Sequence, residues 1–254
     1  MTRLHSQVMD FLDALLLLVG GFAAAVINTI AGGGSLLTVP LLVLAGAPGT
    51  VANGTNRVGI LAGTFNAART FSHLGVQGMK GIGAILVPAA VGSVVGSVLV
   101  SRLADDAFER TFGILMIPVL LLSLKRPNTE TLGDRPNWPR RVTTCVFFAI
   151  GLYGGAFQAG VGLLFIVALA RSGVDLVIAN HIKVITTLVF TLLAIPVFLL
   201  AGQIDWALAV PLAVGFGAGG WVGARLTVAG GERLVRPVLV LAVVALSGRL
   251  LGLY

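Results

Sequence analysis

"NTIAGGGSLLTVP", residues 28–40, interrupts an otherwise apolar run. About twenty residues ahead of it suit a membrane-crossing helix, and apolar character resumes behind it. Gly32, Gly33 and Gly34 cost helix stability and admit positive φ, so they mark backbone that stops being helical. Within hydrocarbon such a break leaves peptide groups without partners. It persists only when buried in protein or lining a polar cavity. The stretch therefore predicts helices arranged around an interior polar place.

Composition sets the class. The 254 residues are 57% hydrophobic and 11% charged, with a mean hydropathy of +1.00. Soluble domains carry about a quarter charged residues. The chain reads as an all-α polytopic membrane protein. Its net charge of +7 comes from Lys and Arg spread through loops, the pattern of topology signals facing an inner leaflet rather than a nucleic-acid footprint. A lone Cys145 excludes an intramolecular disulfide. Residues 1–30 begin like a leader, with Arg3 ahead of "LLLLVGGFAAAV". With Asp10 and Asp13 in the same region, and a counterpart later in the chain, they are expected to be mature structure.

That counterpart belongs to an internal repeat. "PAAVGSVVGSVLVSRLADDAFER" (88–110) aligns without gaps on "PLAVGFGAGGWVGARLTVAGGER" (211–233), sharing Pro88/Pro211, Arg102/Arg225 and Glu109-Arg110/Glu232-Arg233. With small gaps Ala52-Asn53 meets Ala179-Asn180, Gly32-Gly33-Gly34 meets Gly160-Val161-Gly162, and Asn28 falls opposite Gln158. Residues 12–124 and 142–252 are thus expected to be two transmembrane repeats joined by a basic cytoplasmic linker, 125–141.

Each repeat reads as five apolar segments: 12–31, 35–46, 53–73, 81–101 and 107–124, then 142–159, 161–172, 178–200, 205–224 and 233–252. The second of each is too short to cross about 30 Å of hydrocarbon as a helix. It is predicted to be a half-helix near the midplane, forming a hairpin with the first. An odd segment count inverts the second repeat. Placing the linker inside gathers Lys125, Arg126, Arg135, Arg140 and Arg141 with Lys80, Arg171, Lys183, Arg225, Arg233 and Arg236. The other side receives only Arg3, Arg57, Arg102, Arg110 and Arg249, as the positive-inside rule requires of inverted repeats.

The two breaks hold the candidate substrate-binding residues. Half-helix N-termini present free N–H groups and a partial positive charge, suited to an anion. Gly32, Gly33, Gly34 and Ser35 stand at one, Gly160 and Gly162 at the other. A second reading makes the glycines a means of close packing. Asn28 and Gln158 either touch the ligand or glue helices together. "ANGTNR" (52–57) and "ANHIKV" (179–184) supply Asn56 and Arg57 in one repeat and His181 and Lys183 in the other. For both cations, snorkelling to an interface is the competing reading. Gly92/Gly96 and Gly215/Gly219/Gly223 have the spacing of helix-packing motifs. Arg69 and His73 read as interface residues. No Asp or Glu falls deep in an apolar segment, and the sequence has neither a metal-ligand cluster nor a phosphate loop. An enzyme is not expected, nor are a metal or cofactor. The expected partners are a small anionic substrate and the lipid bilayer; oligomeric state is left open.

"GFAAAVINTIAGGGSLLTVPLLVLAGAPGTVANGTNRVG" resembles the first-repeat motif of the sulfite exporter TauE/SafE family: Asn, a Gly-Gly-Gly-Ser break, Val-Pro, then an Ala-x-x-Thr-Asn stretch. Length, the two-repeat layout and the polar linker also fit. "ANHIKVITT", with His181 and Lys183, departs from the family's pattern. The resemblance implies a multi-pass carrier in the cytoplasmic membrane that exports sulfite, sulfoacetate or a related sulfonate. An importer or channel for another anion, and a non-transporting scaffold, are the alternatives.

Overall fold

The computed structural model describes residues 11–76, 81–124, 138–171 and 176–230. Among them every regular element is helical: α1 (Phe11–Ile30), α2 (Ser35–Leu44), α3 (Gly49–His73), α4 (Gly83–Val100), α5 (Asp105–Leu124), α6 (Arg140–Ala156), α7 (Val161–Arg171), α8 (Leu176–Leu200) and α9 (Trp206–Val228). The half-helices are α2 and α7, with 10 and 11 residues. At 1.5 Å per residue they reach only about half the hydrocarbon thickness. By length and composition α1, α4, α8 and α9 are long and apolar enough to cross a membrane. The expected segment 233–252 and most of the linker lie outside the described residues.

Glycines set how the helices meet. A Cβ on Gly215 would stand 2.1 Å from the Leu18 carbonyl oxygen, and one on Gly219 2.3 Å from that of Phe22, so α9 lies directly on α1. Gly92 and Gly96 do the same for α4 on α6, against the carbonyls of Phe148 (2.2 Å) and Leu152 (2.0 Å). Gly92/Gly96 and Gly215/Gly219, which align in the sequence, therefore perform one task in two places. Without a hydrophobic drive between helices in lipid, close backbone approach and its dispersion gain hold such pairs together. In both pairs the residue numbers rise together, so α1 runs parallel to α9 and α4 parallel to α6. Across α3 and α8 they run oppositely. Phe71 stacks near His181, Arg57 near Phe198, and Gly54 against Gln203.

α3 occupies the interior. Thr50, Asn53, Thr55, Asn56, Arg57, Thr64 and Thr70 are all buried along it, a polar content no lipid-facing helix would carry. Other helices shield it. Leu15, Leu16 and Val19 of α1, Val87, Val91 and Leu99 of α4, and Val210 and Val214 of α9 face outward. Exposed apolar faces of this kind need lipid around them.

Several boundaries differ from the sequence reading. α3 begins at Gly49 rather than 53, because Pro48 at the N-cap supplies the entry geometry. Arg57 thus lies more than two turns inside the helix. α6 ends at Ala156 rather than 159, which puts Gln158 in the break itself.

Candidate functional site

The two breaks touch. A Cβ on Gly32 would fall 2.5 Å from the Cα of Gly162 and 2.6 Å from the Leu163 amide nitrogen. Gly32 and Gly160 both adopt positive φ, 87° and 68°, and Gln158 joins them at 63°. The chain reverses after α1 through Ala31 and Gly32, whose amides both return to the Ile27 carbonyl. It then starts α2 at Gly34, an N-cap with no side-chain acceptor to offer. The N–H groups of Gly33, Gly34 and Ser35, and of Gly160 and Gly162, donate no hydrogen bond to the described residues. Two helix N-termini with free donors therefore flank one point of backbone contact.

The helices that end at the breaks leave carbonyls instead, and each set is taken by a cation from the other half of the sequence. Lys183 Nζ on α8 donates to the carbonyls of Asn28 (2.9 Å) and Thr29 (2.7 Å) at the end of α1. Its third donor goes to Asn180 Oδ1 at 2.7 Å. Arg57 on α3 sits at the end of α6. Its Nη2 donates among the carbonyls of Gly154, Gly155 and Ala156, and its Nη1 donates to Gln158 Oε1 at 3.0 Å. The Phe198 ring covers the guanidinium at 4.4 Å. Asn53 Nδ2 adds a bond to Ala156 O at 2.8 Å, and Tyr153 Oη donates to Ala159 O at 2.7 Å. Helix C-termini carry about half a negative charge, so both cations stand where the field favours them.

Neither cation has a carboxylate partner among the described residues, and both are buried, Arg57 at 0% and Lys183 at 2% exposure. Carbonyl dipoles satisfy geometry but do not cancel charge. Each buried ion still carries a desolvation cost of several kcal/mol. Unused polar atoms collect in the same interior. Asn56 Nδ2, Arg57 Nε and Asn53 Oδ1 are buried without a hydrogen-bond partner. Asn56 Oδ1 accepts from Thr38 Oγ1, on the first turn of α2, at 2.6 Å. Ser35, opening α2, is buried at 2%.

The structure sorts the residues expected from sequence. Gly32, Gly34, Ser35, Asn56, Arg57, Gln158, Gly160, Gly162 and Lys183 come together around the breaks. The snorkelling reading of Arg57 and Lys183 is overturned: both point inward to helix-end carbonyls, and neither belongs in a tally of sidedness. The alignment pairs Asn56 with Lys183, yet the residue doing the task of Lys183 is Arg57. Its longer side chain reaches the opposite break from the neighbouring position. Positive φ falls on Gly32 and not on Gly33. Asn28 takes part through its carbonyl. His181 leaves the group, since its ring packs on Phe71 at 5.4 Å, toward the far end of α3. Arg69 is exposed and donates to His73, in keeping with interface residues. Thr38, Tyr153 and Phe198 are absent from the sequence reading. A hydroxyl in the first turn of an apolar half-helix was the available signal for Thr38.

A family model described as sulfite exporter TauE/SafE matches residues 17–250. The chain belongs to the sulfite exporter TauE/SafE family. A probable membrane transporter protein, ORF9, of a Sinorhizobium species is 32% identical over 244 residues, covering 93% of this chain and 91% of that one. A probable membrane transporter protein of Haemophilus influenzae is 30% identical over 87% of this chain and 88% of its own length. The probable membrane transporter protein YfcA of Escherichia coli K12 is 30% identical over 90% and 86%. No solved structure matches. As a TauE/SafE family member with long apolar helices and bacterial transporter relatives, the chain is a multi-pass transporter of the inner membrane.

Proposed function

We propose that this TauE/SafE protein exports a small sulfur-containing anion, such as sulfite, sulfoacetate or a related sulfonate. The observation that carries the reading is the pair Arg57 and Lys183, buried with no carboxylate partner among the described residues and fixed at two breaks in contact. An interior with two positive charges and two sets of free N–H donors is complementary to an oxyanion. The family's description supplies the sulfur-containing class. A neutral solute would leave both charges uncompensated.

The antiparallel run of α3 and α8, which the sequence pairs as equivalents, supports inverted repeats at 12–124 and 142–252. Inverted repeats with broken helices at the midplane suit alternating access around one site. An inside-negative potential drives an anion outward by about 2.3 kcal/mol per charge per 100 mV. Export then needs no intramembrane carboxylate to carry protons.

Purified protein in liposomes, loaded in turn with sulfite, sulfoacetate, thiosulfate and sulfate, tests the reading. The expected result is saturable efflux of at least one sulfur oxyanion, accelerated by an inside-negative potential. Efflux of none of them, or flux that does not saturate, would replace the carrier by a scaffold or a channel.

A further inference from the structure

We propose that Thr38 is a positioning residue that fixes the Asn56 amide with its N–H₂ end toward the substrate oxyanion. The inference rests on the anion-carrier reading above and deepens it, because it names what makes one polar group a donor. An asparagine amide turned by 180° exchanges an acceptor for two donors with almost no change of shape. Something must decide which end faces the ligand. Thr38 Oγ1 donates to Asn56 Oδ1 at 2.6 Å, while its alternative acceptor, the Gly34 carbonyl, lies at 3.4 Å. The short bond takes the hydroxyl proton. A hydroxyl that donates to Oδ1 holds the oxygen against α2 and leaves Nδ2 free. Nδ2 is then buried in a residue with 0% exposure and has no partner.

Among the described threonines Thr50 likewise donates to a side chain, Asp105 Oδ1 at 2.6 Å, whereas five others take a local backbone bond. Thr29, Thr64, Thr70, Thr111 and Thr227 all return their hydroxyls to the carbonyl four residues back, at 2.7–2.9 Å. Thr38 has that option in Gly34 and takes Asn56 instead. Its position matters as well. It stands on the first turn of α2, whose N-terminal amides at Gly33, Gly34 and Ser35 have no acceptor among the described residues. Next along α3 is Arg57, whose Nε is also buried and unpartnered. With Asn56 held this way, the unpartnered atoms of Asn56 and Arg57 are both N–H donors, Nδ2 and Nε, which a deprotonated oxyanion can satisfy. An unsatisfied buried donor is costly, and a bound anion would remove the penalty. The chemistry favours ligands offering several acceptor oxygens.

The test uses full-length protein in liposomes and the anion that the wild type carries fastest among sulfite, sulfoacetate, thiosulfate and sulfate. Thr38→Val keeps the shape of the side chain but cannot donate. It is expected to raise KM by about ten- to a hundredfold, the range of one hydrogen bond to a charged group, in a protein that is still folded. Thr38→Ser should restore KM. In an Asn56→Ala background Thr38→Val should add nothing, because the two act through one group. Wild-type KM in Thr38→Val, or an effect that multiplies with that of Asn56→Ala, would overturn the inference while leaving the carrier reading intact. If Thr38→Val fails to fold, the Thr38→Ser and Asn56→Ala variants decide: wild-type KM in Asn56→Ala also overturns it. Absence of flux for every anion in the wild type would sink the carrier reading and this inference with it.

Discussion

Substituting Gly32 by alanine separates two costs that the geometry assigns to the meeting of the breaks. The first is conformational. At φ 87° an L-residue enters the left-handed region, which costs about 1–2 kcal/mol. The second is steric. The added Cβ would lie 2.3 Å from the Gly162 carbonyl carbon and 2.5 Å from its Cα. These are backbone atoms that cannot rotate away, so two half-helices must part, at a further cost of about 1–3 kcal/mol. Gly81 isolates the first cost, having φ 80° and nothing within 4 Å of an added Cβ. Gly81→Ala should therefore lower unfolding stability by about 1–2 kcal/mol, and Gly32→Ala by about 2–5 kcal/mol. Equilibrium unfolding of the purified variants in one detergent measures the difference, and liposome flux measured alongside should fall only for Gly32→Ala. Equal destabilisation by the two substitutions would refute the claim that the breaks press on each other.

Other substitutions probe the frame around the site. Lys183→Met removes three hydrogen bonds but also the desolvation cost of a buried charge. The two nearly offset, and stability should change by less than about 2 kcal/mol while anion transport is lost; both are read on one purified preparation. Gly96→Val should destabilise by about 1–3 kcal/mol or more, since its Cβ meets the Leu152 carbonyl oxygen at 2.0 Å, and unfolding midpoints check it. Asp205 caps α9 by accepting from the amides of Ala207 and Leu208. Asp205→Ala should cost about 1 kcal/mol of stability and leave the flux rate unchanged.

Much of the architecture is legible in the sequence because membranes penalise unsatisfied backbone so heavily. Three glycines in an apolar run read as a protected break, and the length left before the next break fixes α2 as a half-helix. The packing glycines are equally legible, since their four-residue spacing specifies one helix face. Side-chain direction is not. Arg57 and Lys183 have the same sequence appearance whether they reach an interface or a helix end. Only the placement of α6 and α1 beside them decides. His181 shows the converse. It lies two residues from Lys183, but that step rotates it to another helix face, where Phe71 receives it. Gln158 was legible as a candidate, but its positive φ was not, because that follows from the early end of α6. No sequence pattern separates that end from a helix continued to 159.

Arg57 and Lys183, buried and uncompensated by any described carboxylate, are proposed to hold an anion between the broken helices. Equilibrium binding of the best-carried sulfur oxyanion to wild-type protein, to Arg57→Met, to Lys183→Met and to the double variant tests it most directly. One saturable site is expected in the wild type, with affinity weakened about tenfold or more in each single variant. No measurable binding is expected in the double variant, with an unfolding midpoint showing that this protein is still folded. A folded double variant that binds the anion with wild-type affinity would contradict it.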